Sequence, residues 1–343
     1  INWKETVINY FFQRLLTMSF IVFLVITITF FIAHWIPGDP TALWVGSHPT
    51  EEQLEKARRA LRLDEPLVKQ YINYISNIFQ GDLGISLRTK QPVMTELVTR
   101  FPATFELVTI SILLSILIAF PLGLLSAMKN NTSTDFTIRV LGYVGLAIPV
   151  FWLGMILQIV FFAWLGWFPL QGRYTSDILL NADIITSTGF ILFDTFVSGE
   201  WSAFADALHY IFLPVVTLSV AVIGLIIRIS KSSLMDIIRE PFFTTLLSYG
   251  FTAKEAVITS AYKNTLVPVS TIIGLSYGMM LGGTFLIESI FDWPGLGQFG
   301  VLSILTGDFP AIIGITLLYS ISYVLINFII DIFYLIIDPR TRM

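Results

Sequence analysis

Six stretches of this 343-residue chain stay apolar for about the width of a bilayer, and no other feature limits its possible folds as strongly. A hydrocarbon layer of about 30 Å is crossed by roughly 20 residues of helix. Residues 15–36, 107–128, 140–162, 211–227, 266–287 and 311–330 meet that requirement. The expected fold is therefore all-α: a polytopic membrane protein with six transmembrane helices. Composition agrees, because 55% hydrophobic and 13% charged residues argue against a soluble protein. The absence of cysteine excludes disulfides and thiolate metal sites. A net charge of -4 without a basic stripe argues against nucleic acid as a partner.

Six spans put both termini on one side, and Lys and Arg in short segments decide which side that is. Lys4, Arg14, Lys129, Arg139, Arg228, Lys231, Arg239, Lys254, Lys263, Arg340 and Arg342 share the side of the termini, whereas the short opposite loops hold only Arg173. The expectation is a multi-pass protein of the cell membrane with both termini cytoplasmic. The first apolar run ends in "PGDP" rather than at a small-residue cleavage site, so it is read as a retained helix. The chain divides into a tail and first span (1–36), an external helical subdomain (37–100), a core of five spans (101–336) and a short cytoplasmic tail (337–343).

In the external subdomain Thr50 is a helix cap, and Pro66 divides the following amphipathic run into two helices. A second external loop, 164–209, is acidic and glycine-broken, and its "TGFILFDTFVSG" is amphipathic enough to lie along the membrane surface. Either loop could serve only to cap the bundle. The largest cytoplasmic segment, 228–263, is read as a short helix before Pro241, an apolar stretch to Tyr249, a helix stop at Gly250, and a capping box of Thr252 and Glu255. Phe242, Phe243 and Phe251 on the water side of a membrane call for a protein partner to cover them.

Catalytic motifs find little support. Gly295-x-Gly297-x-x-Gly300 has dinucleotide-fingerprint spacing but lacks the strand before it and the βαβ context, so these glycines are expected to fold an external loop back toward the mouth of the bundle. No phosphate-cradling loop with a Lys-Ser/Thr ending occurs, which leaves nucleotide chemistry to other chains. His34, His48 and His209 are too scattered for a metal site. Gly274, Gly278 and Gly282 fall on one face of the fifth span and suit either ordinary helix packing or a pathway-lining or dimer-facing surface. Glu106, Glu288 and Asp331 sit at span ends, where a carboxylate is costly; a transport role, snorkelling, or pairing with a nearby Arg would each explain them. Trp293 suits a membrane interface. With Glu106 and Glu288 it is a candidate mouth residue. Pro121 and Pro149 can interrupt the hydrogen bonding of spans two and three.

"GFTAKEAVITSAYKNTLVP" resembles the EAA loop of membrane permeases from ABC importers of the dipeptide, oligopeptide and nickel class. "IPGDP", "LRLDEPLVKQY", "GDLGISLRTKQPV", "RFPATFEL", "GLAIPVFWLG", "ESIFDWPGLG" and the terminal "DPRTRM" match in order, so the resemblance covers nearly the whole chain. It is similar to the B-type permease of such systems. The resemblance implies the type I importer permease fold, with a homologous C-type permease, two ATPase subunits carrying ATP and Mg, and an external substrate-binding protein as partners. This chain itself would be no enzyme and would hold no cofactor. The EAA turn would couple to an ATPase through Leu247, Ser248, Tyr249, Gly250, Phe251, Thr252, Ala253, Lys254 and Glu255, with Gly250 as motif glycine and Pro268 as motif proline. Family members usually carry basic residues just before the glycine. Here Thr244 to Tyr249 lack them, which implies a more apolar contact.

The expected substrate is a di- or oligopeptide, a lean that rests on the long acidic second loop. Nickel chelates, glutathione and oligosaccharides are the alternatives within the family. An ion-driven transporter would need a midplane acid or internal repeat, which the sequence lacks. A receptor would differ by being independent of ATP.

Overall fold

Backbone amides in hydrocarbon must be paired within the protein, and the apolar runs satisfy this as helices. The computed structural model describes residues 3–35, 50–60, 64–175 and 188–337. Among these no strand forms, only an isolated bridge between Ile85 and Pro92. Residues 37–49 of the expected external subdomain, 176–187 of the second loop and the tail from 338 lie outside the described residues.

In chain order the helices are α1 (Trp3–Trp35), α2 (Glu51–Ala60), α3 (Leu67–Phe79), α4 (Val93–Met128), α5 (Ser133–Ala147), α6 (Val150–Leu157), α7 (Ile191–Ser198), α8 (Trp201–Ile238), α9 (Pro241–Ser248), α10 (Ala253–Ala256), α11 (Tyr262–Ile290), α12 (Leu296–Leu305) and α13 (Phe309–Ile337). Five of them, α1, α4, α8, α11 and α13, are long and apolar enough to cross a membrane. The sixth expected span, 140–162, is not one straight helix. It is the pair α5 and α6, bent by 99° at a short break. The cause is Pro149: the preceding Ile148 is driven extended (ψ 126°), and Pro149 then caps the start of α6. Pro121 in α4, Pro214 in α8 and Pro268 in α11 remain inside continuous helices. Beyond α6 the chain passes into a π-helical turn, Gln158–Trp164.

The helix ends define two ends of the bundle. α9 and α10 lie at the basic end; α3, α7 and α12 lie at the loop end. No break separates 228–238 from the fourth span, so the short helix expected before Pro241 is the last turns of α8. That helix has 38 residues, roughly 57 Å at 1.5 Å per residue, and projects well beyond a hydrocarbon layer.

The centre of the bundle is α8 packed against α4, α5 and α11, with Leu107, Ile226, Leu281 and Ile287 among the fully buried side chains. Small residues allow the backbones to approach. Ser219 Oγ donates to the Ser111 carbonyl across the α4–α8 contact at 3.0 Å, and a Cβ on Gly142 would lie 3.6 Å from the Gly224 Cα. Such stripes replace the hydrophobic drive that hydrocarbon cannot supply between helices. At the basic end α1 is tied to α13 by Arg14 Nη2 donating to Asp331 Oδ1 at 2.6 Å.

α3 lies across the loop end of α1, where Tyr71 shares a hydrogen bond of 2.7 Å with Thr27 and its ring sits 5.1 Å from that of Phe30. The stretch 80–92 is pinned to the start of α13 by one buried carboxylate. Asp308 accepts from the Ser86 hydroxyl and from the Arg88 amide at 3.2 Å. Replacing Asp308 by Ala would leave these donors unpaired, a loss of about 2–3 kcal/mol. D308A should expose Arg88 and Lys90 to trypsin at least tenfold faster than wild type, and unchanged cleavage would show that Asp308 does not hold the segment.

Candidate functional site

At the basic end α9 and α10 form a turn raised from the bundle. Pro241 starts α9 with its fixed φ, and α9 stops at Tyr249, after which Gly250 adopts φ 90°, a left-handed conformation suited to glycine. Thr252 then opens α10. Its hydroxyl accepts from the Glu255 amide, while the Glu255 carboxylate accepts from the Thr252 amide at 2.8 Å and from its hydroxyl at 2.7 Å. The expected capping box is thus present. Those Thr252 hydrogen bonds hold the Glu255 carboxyl below the usual range, so the box is complete at neutral pH and weakens only as pH falls through that lowered pKa. The continuation from α10 to α11 runs through a π-helical turn, Val257–Ala261.

The turn has an inner and an outer face. Phe243, Ala256, Val257 and Ala261 pack beneath it on Ala127 and Leu234. Phe243 therefore does not present itself to a partner as expected; it is 3% exposed. Every residue from Leu247 to Glu255 is exposed, and Tyr249 reaches 79%. With Leu247 and Phe251 at 41% each, the outer face offers three large apolar groups and no basic side chain before Gly250.

The loop end is organised by one turn of α4. The Ala103 carbonyl accepts from Trp293 Nε1 at 2.9 Å. Thr104 donates to Glu288 at 2.7 Å and accepts from the Leu296 amide at 2.8 Å. Glu106 Oε2 accepts from Arg173 at 2.5 Å and its Oε1 from the Leu192 amide at 2.9 Å. Arg173 also donates to the Gly189 carbonyl at 3.0 Å and lies over the Trp293 ring at 5.5 Å. α4 thereby joins the second loop, α7 and the turn between α11 and α12.

The three expected mouth residues are brought together here, but none is open to water. Trp293 is 1% exposed and Glu288 fully buried, so the tryptophan is a plug and not an interfacial belt residue. Glu106 takes the pairing alternative, with Arg173. Glu288 is satisfied by Thr104 and by the Gln298 amide at 2.9 Å. The glycines around Trp293 have a steric purpose: a Cβ on Gly297 would come within 2.8 Å of the Phe285 amide nitrogen, and one on Gly295 would overlap Glu288. They seat the turn over the buried carboxyl, folding it back as the sequence suggested.

The glycine face of α11 divides. Gly274 and Gly278 receive Ile330 and Tyr323 of α13, whereas nothing lies within 4 Å of a Cβ on Gly282. Pro268 lies in the first turns of α11, near the basic end. Thr104 and the Arg173 partnership escaped the sequence reading; the lone Arg among acidic loops was the available signal. Asp135 escaped it too. At the basic end it takes Lys231 Nζ and Ser126 Oγ, both at 2.5 Å.

Residues 119–343 match the family model "Binding-protein-dependent transport system inner membrane component", and residues 7–108 match its N-terminal companion. The chain belongs to this family. Relatives of the permease include a probable D,D-dipeptide transport system permease protein of Escherichia coli K12, 38% identical over 96% of both chains. A di/tripeptide transport system permease protein of Pseudomonas aeruginosa is 36% identical over 92% of this chain and 93% of its own. A glutathione transport system permease protein of Pectobacterium atrosepticum is 34% identical over 98% and 99%. Among solved structures an inward-facing MetNI methionine ABC transporter matches with TM-score 0.50 at 15% identity, covering 69% of this chain and 94% of that one. The permease therefore has the type I ABC importer permease fold, as the sequence resemblance implied.

The buried Glu106–Arg173 pair gives a double-mutant test. Glu106→Ala leaves the Arg173 charge buried without its carboxylate and should cost about 3–5 kcal/mol. E106A/R173M should melt closer to wild type than E106A does; additive losses would mean that the two side chains act independently.

Proposed function

We propose that this permease forms half of an import pathway for short peptides, lined jointly with a homologous C-type permease and fed by an external binding protein. The observation that carries the substrate reading is the 34–38% identity, over nearly the whole chain, to permeases named for dipeptides, di/tripeptides and glutathione, all of them peptides. Glutathione, itself a tripeptide, is the second reading.

ATP and Mg belong to two partner ATPase subunits, and this chain contributes shape in place of chemistry. The exposed turn Leu247 to Glu255 is the coupling element: its apolar outer face seats in an ATPase groove, and its inner face is rooted on the ends of α4 and α8. Closure of the ATPases then moves α8 and α11 as rods, and the seal at Trp293 opens or closes at their far ends. Pro268 lies on the α11 rod just beyond the turn, and Gly282 faces the partner permease or the pathway. Residues 37–100 and the second loop are the external platform for the binding protein, and the basic end, with both termini, is cytoplasmic.

ATPase activity of the purified complex in lipid, with its binding protein and dipeptide, glutathione or nickel chelate, tests the substrate class. Stimulation by dipeptide is expected, and stimulation by the chelate alone would overturn the peptide reading. Gly250 separates strain from sterics, because nothing lies within 4 Å of its Cβ while its φ is 90°. Gly250→Val should strain the turn by about 1–3 kcal/mol and uncouple hydrolysis from uptake. Gly250→Asn, which tolerates positive φ, should stay coupled. Full coupling in G250V would remove the turn from the transmission path. For orientation, the cysteine-free chain permits single-cysteine labelling: Ser133→Cys should react only from the cytoplasmic side and Thr306→Cys only from outside.

A further inference from the structure

At the basic end α5 and α8 touch at Gly142 and Gly224 and splay apart beyond that contact, leaving a cleft of about 450 Å³. Its walls carry Arg139 from α5, Arg228 and Lys231 from α8, and Arg239, which caps the end of α8. Arg228, Lys231 and the cap residue Arg239 share one face through their spacings of three and eight residues. The carboxylates present do not balance this charge. Buried Asp135 takes Lys231 at 2.5 Å and Arg139 at 3.3 Å. Arg228 and Arg239 make no ion pair among the described residues. The exposed Asp236 is the one carboxylate lining the cleft. Arg139 Nε is buried and has no acceptor. Four cations, one buried counter-ion and a free guanidinium donor make this a receptor for an anion with several acceptor oxygens.

We propose that the cleft holds the phosphate headgroup of an anionic phospholipid from the cytoplasmic leaflet. Two observations favour a lipid over a soluble anion. The cleft lies at the end of the spans that the basic residues mark as cytoplasmic, where headgroups sit; this step rests on the orientation proposed above. Tyr143, which lines the cleft, shares a face of α5 with Val140 and, one turn further toward the bilayer, with Ala147. These side chains are exposed, Val140 by 39% and Tyr143 by 53%, so the charged cleft continues into an apolar strip fit for an acyl chain. A free phosphate would use only the cations. A basic pocket between spanning helices at this level is the general form of a headgroup site.

The site bears on coupling. Met235 lines the cleft and also packs in the cluster that supports Phe243 beneath the exposed turn. A bound headgroup would clamp α5 to the end of α8 that carries the turn.

The test uses the whole transporter in vesicles of phosphatidylcholine with a minority of phosphatidylglycerol. Lipids retained after mild extraction are counted by native mass spectrometry, a readout that needs no transport and so stays independent of the peptide reading. Arg228→Gln with Arg239→Gln removes two cations that support no ion pair in the fold. Wild type should retain phosphatidylglycerol selectively. R228Q/R239Q should lose that selectivity by about thirtyfold, at about 1 kcal/mol per cation, and R228K/R239K should keep most of it. Millimolar inorganic phosphate or dipeptide should not displace the lipid. Equal retention by wild type and R228Q/R239Q would overturn the proposal. So would displacement by phosphate, which would assign the cleft to a soluble anion, or by dipeptide, which would assign it to the pathway.

Discussion

Hydrocarbon offers no hydrogen bonds, and the arrangement of this permease follows from that. Each spanning helix pairs its own amides and many of its Ser and Thr hydroxyls bond back to the carbonyl four residues before, as Thr217 and Thr265 do, but the buried charged groups find partners on other elements. Four pairings tie the elements together: Ser219 to the Ser111 carbonyl at the centre, Glu106 with Arg173 and Thr104 with Glu288 at the loop end, and Asp135 with Lys231 at the basic end. α4 or its immediate end takes part in most of them, so it is the frame on which α8 and α11 are registered. Breaking one member of a pair is costly because its mate stays buried.

The basic end and the loop end are joined by continuous helices. The exposed turn follows the end of α8, and the chain leaves the turn into α11, which reaches the Trp293 seal without an intervening loop. The turn and Trp293 are thus linked by continuous, packed helix. The contrast with the third span is informative. There Pro149 drives Ile148 extended and the helix bends by 99°, while Pro214 and Pro268 leave α8 and α11 unbroken. The rods that connect the ends are the spans that tolerate their prolines.

Much of the fold was legible in the sequence. Length and hydropathy locate the spans, and the Thr252 to Glu255 spacing foretells the capping box, because both depend on neighbours within a few residues. The exposed turn was legible as well, since apolar groups flanked by a helix stop and a cap cannot all turn inward. Phe242 and Phe243 show the limit: adjacent phenylalanines on a short helix face opposite ways, and only the packing of Ala127 and Leu234 selects which one is buried.

What the sequence determined by itself is therefore local: the position of the spans, the caps, the excess of cations at one end and the family resemblance carried by ordered motifs, whereas the structure decided that Pro149 breaks its span and Pro121 does not. The tertiary structure alone decided the long-range pairings. A linear reading offers Glu106 an arginine but does not select Arg173, nor does it join Thr104 to Glu288 or Asp135 to Lys231; these pairs are separated by 67, 184 and 96 residues. The tertiary structure also turned Trp293 from an interfacial residue into a buried plug and divided the glycine face of α11 between packing and open space. The physical reason is that helical periodicity fixes which residues share a face, whereas the identity of the facing surface depends on how the helices assemble.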